Sequence, residues 1–499
     1  MGRLRRRQIV GWAKGRRRIS APVSIVAVAV AAVTTVALTG AFTGALTAGS
    51  GTSGPALTRQ QIAQHILSTR AAGVMTAPAR AALRILATGS RDLSPGLPAG
   101  GLPAAAPAGP ASNAGNLAKP AFTNVRVNNP AEDTHEPDQT TQSETAIAVA
   151  GSHVAVGYND SQQTGLFLTA GSSITGYSYS TNGGASFTDG GALPNTPEFV
   201  NLGDPWLAST RSGDMYFSNL ADDAVNLNLD VAVAKSADGG KSWGTPVPVF
   251  RPPINIFYSG DKPATAAGPD PSVTSRDNLY VAYDDFSANL NVRPLKIFLG
   301  LPVARSTDGG KTWKLTYASR FLLPRRGCSF QQFIGATPIV NPATGTLYVV
   351  AEKLAVTDPH CKGLPLQLSE VIFRSTDGGK TFAPGVKIAS VTQAVPNGLL
   401  FLGPGKYMRD AEFPAIALRG NSRNGTGFSH KRVTTQSFPG TLTVPQFDPI
   451  IAFGYMGDYI ANVSDGSHQY FAWGDNRDTV TNFLYPHGRA DPNVFFAKQ

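Results

Sequence analysis

Three short segments place a tyrosine three residues ahead of an aspartate: Tyr258 and Asp261 in YSGD, Tyr407 and Asp410 in YMRD, Tyr455 and Asp458 in YMGD. A phenol beside a carboxylate is a reactive combination, because the carboxylate can take the proton and leave an oxygen nucleophile. Two further acids, Asp204 in NLGD and Glu144 in QSETAIAV, hold the matching position elsewhere in the chain. If these segments converge, Glu144, Asp204, Asp261, Asp410 and Asp458 form a ring of carboxylates. Such a ring could bind a hard cation such as Ca²⁺ through oxygen ligands, or orient a polar substrate. Each aspartate could equally bond the backbone of its own loop, as turn aspartates do.

Convergence needs a repeating scaffold, and the sequence supplies one. RSTDGGKTW (305–313) and RSTDGGKTF (374–382) are near copies, with looser versions in KSADGGKSW (235–243) and YSTNGGASF (179–187). The repeated serine falls at 180, 236, 306 and 375, with spacings of 56, 70 and 69 residues. Such periods mark a propeller or solenoid, in which no unit buries its own faces and neighbours must stack. Asp-Gly-Gly between two β-type runs is a tight-turn signal, since glycine accepts positive φ. The aspartate and the hydroxyls can satisfy the turn, and the terminal aromatic can pack between sheets. The motif therefore reads as shape.

Other elements keep phase with it. Short strands precede each copy (ITGYSYS, DVAVAKS, LPVARS, EVIFRS), and the C-terminal PNVFFAKQ matches them but stops before a turn. Two strands lie further upstream in each unit, as in TAIAVAGSHVAVGYND (145–160) and GATPIVNPATGTLYVVAEKL (335–354), while 410–438 is a divergent fifth unit without the turn motif. The reading is an all-β, six-bladed β-propeller over residues 122–499. Its last blade takes its missing strand from FTNVRVNNP (122–130), a closure that removes exposed edges. The loops joining strands two and three, at 160–177, 220–230, 285–300, 353–369 and 474–492, then lie on the face opposite the repeated turns. Functional loops belong there.

The preceding regions differ. Residues 1–18 hold eight Lys/Arg and no acid, which leaves the rest of the chain at about +2 of the total +10. The basic balance is thus no nucleic-acid footprint. An uncharged apolar run follows from Ile19 past Ala48, so 1–50 reads as a signal peptide or signal-anchor, with cleavage and retention both open. Residues 51–121 read as short helices, from Ile62, Ile66 and Leu67 and from Leu83, Ile85 and Leu86, followed by a disordered Pro/Ala/Gly-rich linker. The expected location is extracellular or cell-surface. Cys328 and Cys361 lie in one unit, so an exported chain could bridge them.

The repeated turn resembles the Asp-box, or BNR repeat, of sialidases and related propellers, and residues 122–499 are similar to secreted bacterial proteins of exo-α-sialidase type. That resemblance implies rim-lying Asp-boxes with a structural role. It also implies a tyrosine nucleophile and an arginine trio gripping a sugar carboxylate. On this reading Tyr407 or Tyr455 is the nucleophile, Glu352 or Glu412 its base, and Asp204 or Asp261 the acid. Arg293, Arg409, Arg477 and Arg489 are candidates for the trio. The Arg-Ile-Pro signature of sialidases is absent; NVRPL (292–296) and FRPP (250–253) are not equivalents. The resemblance implies an exo-glycosidase acting on terminal acidic sugars of glycoconjugates. The alternative is a non-catalytic propeller that binds glycan or protein partners at the same face. No cofactor is expected besides the Ca²⁺ a carboxylate ring could hold, and a membrane partner only through the N-terminal segment.

Overall fold

The computed structural model describes residues 58–68, 83–84, 86–88, 122–133, 142–160, 173–223, 225–226, 228–292, 296–323, 329–360, 362, 366–391, 399–403, 406–409, 414–416, 433–435, 457–481 and 486–499. Residues 1–50 and both cysteines lie outside these, so the export segment and the disulfide expectation do too. Among the described residues no helix is long and apolar enough to cross a membrane.

The described body is built from antiparallel sheets taken in chain order. The first holds Gln142–Ala150, His153–Asp160, Thr175–Ser180 and Thr188–Ala192. In the second, Phe199–Asn201 and Trp206–Ser209 both pair with Met215–Asp223, followed by Asn228–Ser236 and Val247–Pro248. The third has Ile256–Pro269, Asp277–Asn289, Ile297–Ser306 and Lys314–Leu323, and a parallel bridge from Ser259 to Leu229 ties it to the second. The fourth has Phe330–Val340, Leu347–Val356, Gln367–Ser375 and Val386–Val391. A two-stranded pair, Leu399–Gly403 with Lys406–Arg409, follows.

The last sheet contains Ala461–Ser464, Gln469–Val480 and Arg489–Lys498, completed by Val125–Arg126 from far upstream. Val125 pairs with Phe496 and Arg126 with Phe495, the closure expected from the truncated last repeat. Asn128 locks it: its Nδ2 donates to Asn493 Oδ1 at 2.7 Å and its Oδ1 accepts from Val494 N–H at 2.8 Å.

The strands form because their small and β-branched residues suit a pleated surface packed on both sides. Burial follows position within a sheet. Gln142–Ala150 is almost wholly buried, whereas the outermost Val386–Val391 is exposed. Successive sheets pack face to face. Val154, Val156 and Tyr158 of the first meet Tyr470, Val494 and Phe496 of the last, while Ala155 and Tyr177 meet Phe217 and Trp243 of the second. Tyr280 and Val303 of the third meet Val349 and Phe373 of the fourth.

The Asp-box turns are the joints of this stack. In each, the serine Oγ accepts from the second glycine N–H (2.8–2.9 Å), and the Asp or Asn Oδ1 accepts from the N–H four residues on at 3.0 Å. Partial burial pushes Asp238, Asp308 and Asp377 upward. The hydroxyl and N–H donors outweigh it and hold each at about 2. Both glycines of every copy have positive φ. The second also lets the backbone touch the preceding sheet: a Cβ at Gly184 would lie 2.3 Å from the Phe496 ring, and at Gly240 2.6 Å from Ala155 Cβ.

Two boundaries differ from the sequence reading. Strands run further into the loops, so 220–223, 228–230, 285–289 and 297–300 are ladder rather than loop. Within the stretch read as short helices, a helix spans Arg59–Leu67 and docks on the body. Helix α1 (Arg59–Leu67) is opened by a capping box between Thr58 and Gln61. Ile62, Ala63 and Ile66 are buried in one cluster with Leu202, Leu220, Leu229 and Val231.

Candidate functional site

The strand nearest the start of several sheets carries the same irregularity. Register slips between Ser143 and Ala146, between Asp261 and Ala264, and between Ile334 and Thr337. At each slip one residue turns into the left-handed region: Glu144 (φ 53°), Lys262 (51°) and Gly335 (63°), with Asp204 (53°) at the corresponding place in the second sheet. This is a β-bulge, which re-aims a side chain. Glycine takes the conformation freely, as in the fourth sheet. A residue with a Cβ held there costs roughly 1–3 kcal/mol. Glu144, Asp204 and Lys262 are the positive-φ residues other than glycine among the described residues. All three are charged and all three meet.

Asn159, on the second strand of the first sheet, ties the group together. Its Nδ2 donates to Glu144 Oε2 at 3.0 Å, and its Oδ1 accepts from Asp204 N–H at 2.8 Å. Glu144 Oε1 accepts from Asp458 N–H, just ahead of the last sheet, at 3.0 Å. Tyr459 Oη donates to the Pro205 carbonyl at 2.8 Å, and its ring lies 5.8 Å from that of Trp206 at a 42° tilt. The Lys262 ammonium sits over the Tyr459 ring, with Trp206 beyond. First, second, third and last sheets thus meet at one polar knot under an aromatic pair. The Glu144 carboxylate thus accepts a backbone N–H from the far end of the chain, not from its own loop as an ordinary turn acid would.

Electrostatics follow from burial. Glu144, Asp204 and Asp261 are 1%, 0% and 1% exposed. Asp204 is driven well above the ordinary carboxylate range, by burial first and then by the Glu144 and Asp261 carboxylates. Neither of its oxygens has a hydrogen-bond donor, and the Glu144 carboxyl beside it adds to the upward push, the direction expected where two acids share one buried site. Burial lowers the Lys262 ammonium, and the four carboxylates of Glu144, Asp204, Asp458 and Asp261 oppose that. Burial, with the same carboxylates, raises the Tyr459 phenol well above its usual value. Asp284, directly across the ladder from Asp261, is raised by burial and then by that neighbour. Asp285 points elsewhere. It accepts from Tyr317 Oη at 2.6 Å, yet burial lifts it to about 7.

The structure brings together four of the five ring acids foreseen from the sequence; Asp410 lies outside the described residues. It corrects their alignment. The position equivalent to Glu144 and Asp204 is Lys262, one residue past Asp261, so the ring contains a cation. Among the described residues no group of three or more His, Cys, Asp or Glu is arranged to hold a metal ion.

Of the proposed catalytic residues, Asp204 is in the knot. Tyr455 and Glu412 lie outside the described residues, as does Arg293. Tyr407 and Arg409 fall on a strand rather than the loop expected, paired with Phe401 and Leu399. Glu352 is buried in the fourth sheet. Arg477 is already engaged: its guanidinium bonds Asp475 of its own strand at 2.5 Å and Thr435 Oγ1 at 2.8 Å, and lies over the Phe495 ring.

Sequence reasoning missed Asn159, Lys262, Trp206 and Tyr459. One signal was available. Asp204-Pro205 and Lys262-Pro263 both place proline inside a strand-like run, and proline there marks a bulge because it cannot donate to the ladder.

A family model described as the BNR/Asp-box repeat matches residues 304–315. No curated protein matches the chain. Among solved structures, a Dyadobacter fermentans protein of unknown function is similar at 15% identity and TM-score 0.40, over 76% of this chain and 98% of that one. The α-L-arabinofuranosidase of Fusarium graminearum with arabinobiose gives 13% and 0.36, over 54% and 71%. A putative glycosidase of Bacteroides thetaiotaomicron gives 14% and 0.33, over 72% and 86%. At such identities and scores a likeness in chain path says nothing about activity.

Proposed function

We propose that the protein is an exported six-bladed Asp-box propeller that hydrolyses a glycosidic bond, with the Glu144–Asp204 pair as its proton-handling centre. One observation carries the reading. Glu144, Asp204 and Lys262 are held in strained backbone at a position where the fourth sheet uses glycine. Strain of this kind concentrates at functional sites. Glycoside hydrolysis needs one carboxyl that keeps its proton and one that stays ionised. Asp204, raised by burial and by Glu144, suits the acid; Glu144, with two hydrogen-bond donors, suits the carboxylate. Trp206, partly exposed beside the Lys262-capped Tyr459 ring, is the aromatic surface on which a sugar ring would lie. Lys262 supplies the positive charge that a calcium ion would otherwise bring. The finer reading is an exo-α-sialidase type of enzyme acting on terminal acidic sugars, with Arg293, Arg409 and Arg489 as candidates for the sugar carboxylate. Its place of action would be outside the cell or at its surface.

A second reading has an observation of its own. Glu144 and Asp204 are almost inaccessible, which suits a knot that closes the ring while the outer loops bind glycan or a protein partner without turnover. One assay separates the two. Purified protein is incubated with aryl glycosides, sialosides and arabinofuranosides included, beside D204N. Turnover by the wild type that falls about 100-fold or more in D204N supports the enzyme. Absence of turnover on every glycoside, with retained glycan-array binding, supports the second reading.

A further inference from the structure

Helix α1 brings an arginine to a prepared place. The Arg59 guanidinium donates to Asn228 Oδ1 and, at 2.8 Å, to the Ile254 carbonyl. Asp223 and Asp230 act on it electrostatically. Asp223 is shaped by its own loop, accepting from Val225 N–H at 2.9 Å and from Asn226 N–H at 2.7 Å. Asp230 is not satisfied in that way. It is 0% exposed and neither oxygen has a hydrogen-bond donor; burial first, then Asp223, drives it well above the ordinary carboxylate range, against the pull of Arg251, while Asn228, also 0% exposed, has an unused Nδ2. A buried carboxyl of this kind ionises only against a cation beside it, and the partly exposed Arg251 is one such neighbour. A guanidinium supplies planar donors for such a pocket.

The location matters as much as the chemistry. Residues 223–228 connect the second and third strands of the second sheet. The Asp-box turns lie at the other end, beside the turns between first and second strands, as the Gly183 N–H to Ser152 carbonyl bond shows in the first sheet. Helix α1 therefore lies across the end of the second sheet where the Asp204 bulge begins. Its grip is limited to Ile62, Ala63 and Ile66 on one face, Arg59 at the tip, and Gln64 bonded to the Ala87 carbonyl.

We propose that Asn228, Asp223, Asp230 and the Ile254 carbonyl form a guanidinium-binding pocket, filled in cis by Arg59, so that residues 58–68 are a displaceable cover on this end of the body. The external ligand it would take is an arginine side chain of a peptide, or a small guanidinium compound of the same chemistry.

Ethylguanidinium is the probe, titrated calorimetrically into the full-length protein. In the wild type Arg59 competes, so binding is weak. R59A binds it about tenfold or more tighter, and D230N in the R59A background abolishes that gain. An arginine-containing peptide and free ethylguanidinium, run as separate arms, show which source the pocket prefers. Equal affinity in wild type and R59A, or a gain that survives D230N, overturns the proposal. Should R59A not fold, hydrogen exchange on the wild type decides. The probe is expected to speed exchange in residues 58–68 and leave the Asp-box turns unchanged; no change in 58–68 overturns it.

Discussion

At the residue scale the centre of the molecule holds ionisable groups away from water. Lys262 is buried among Glu144, Asp204, Asp261 and Asp458. Removing one partner of a buried ionic group leaves the rest uncompensated, which typically costs about 3–5 kcal/mol. K262M is therefore expected to lose about 3 kcal/mol of unfolding free energy in urea, far more than an exposed lysine such as Lys241. Asp204 makes a pH prediction of definite sign. Its folded pKa lies above its unfolded value of about 3.9. Below about pH 4 both states hold the proton. Above it the unfolded chain releases its proton while the folded one keeps it, so stability falls with rising pH until the folded pKa is passed. D204N, which has no proton to release, is expected to show a flatter stability profile from pH 4 upward. An unchanged slope in D204N counts against the raised pKa.

At the element scale the bulge and the Asp-box turn do different work. The turn is self-contained: serine, aspartate and two glycines close their own hydrogen bonds, and the aromatic that ends the motif packs between sheets, as Trp243 does against Tyr177 and Phe217. Its chemistry is local, so it was legible in the sequence. A Cβ at Gly184 would meet the buried Phe496 ring at 2.3 Å, whereas at Gly310 it would meet Tyr216 at 3.3 Å, both with positive φ. G184A is therefore expected to lower the melting temperature more than G310A, with both below wild type. The bulge was only half legible. Acids at the start of strands could be read, but the one-residue slip that substitutes Lys262 for Asp261 is a register property, and register depends on the partner strand. Asn159 was invisible for the same reason, since its role exists only across two sheets.

At the scale of the whole molecule, closure is the organising fact. Residues 125–126 complete a sheet whose other strands begin after residue 460. The truncated last repeat announced this pairing, because a unit ending at its third strand leaves an edge to cover. The docking of α1 was not announced: a short run with apolar residues at helical spacing carries no sign of where it packs. N128A leaves the Val494 N–H and Asn493 Oδ1 unpaired in a buried place, and is expected to cost about 2 kcal/mol by urea unfolding. R126A, which removes a half-exposed ion pair to Asp478, is expected to cost under about 1 kcal/mol. The reverse order would mean that closure rests on surface charge rather than on the buried amide.

The most direct test of the central claim is the titration of Asp204 itself. Its carboxyl carbon can be followed by ¹³C NMR in aspartate-labelled protein, assigned by its disappearance in D204N. The expected midpoint lies well above the ordinary carboxylate range, and E144Q, which removes the neighbouring carboxyl, is expected to bring it down. A midpoint near 4 in the wild type, unmoved by E144Q, would contradict that claim.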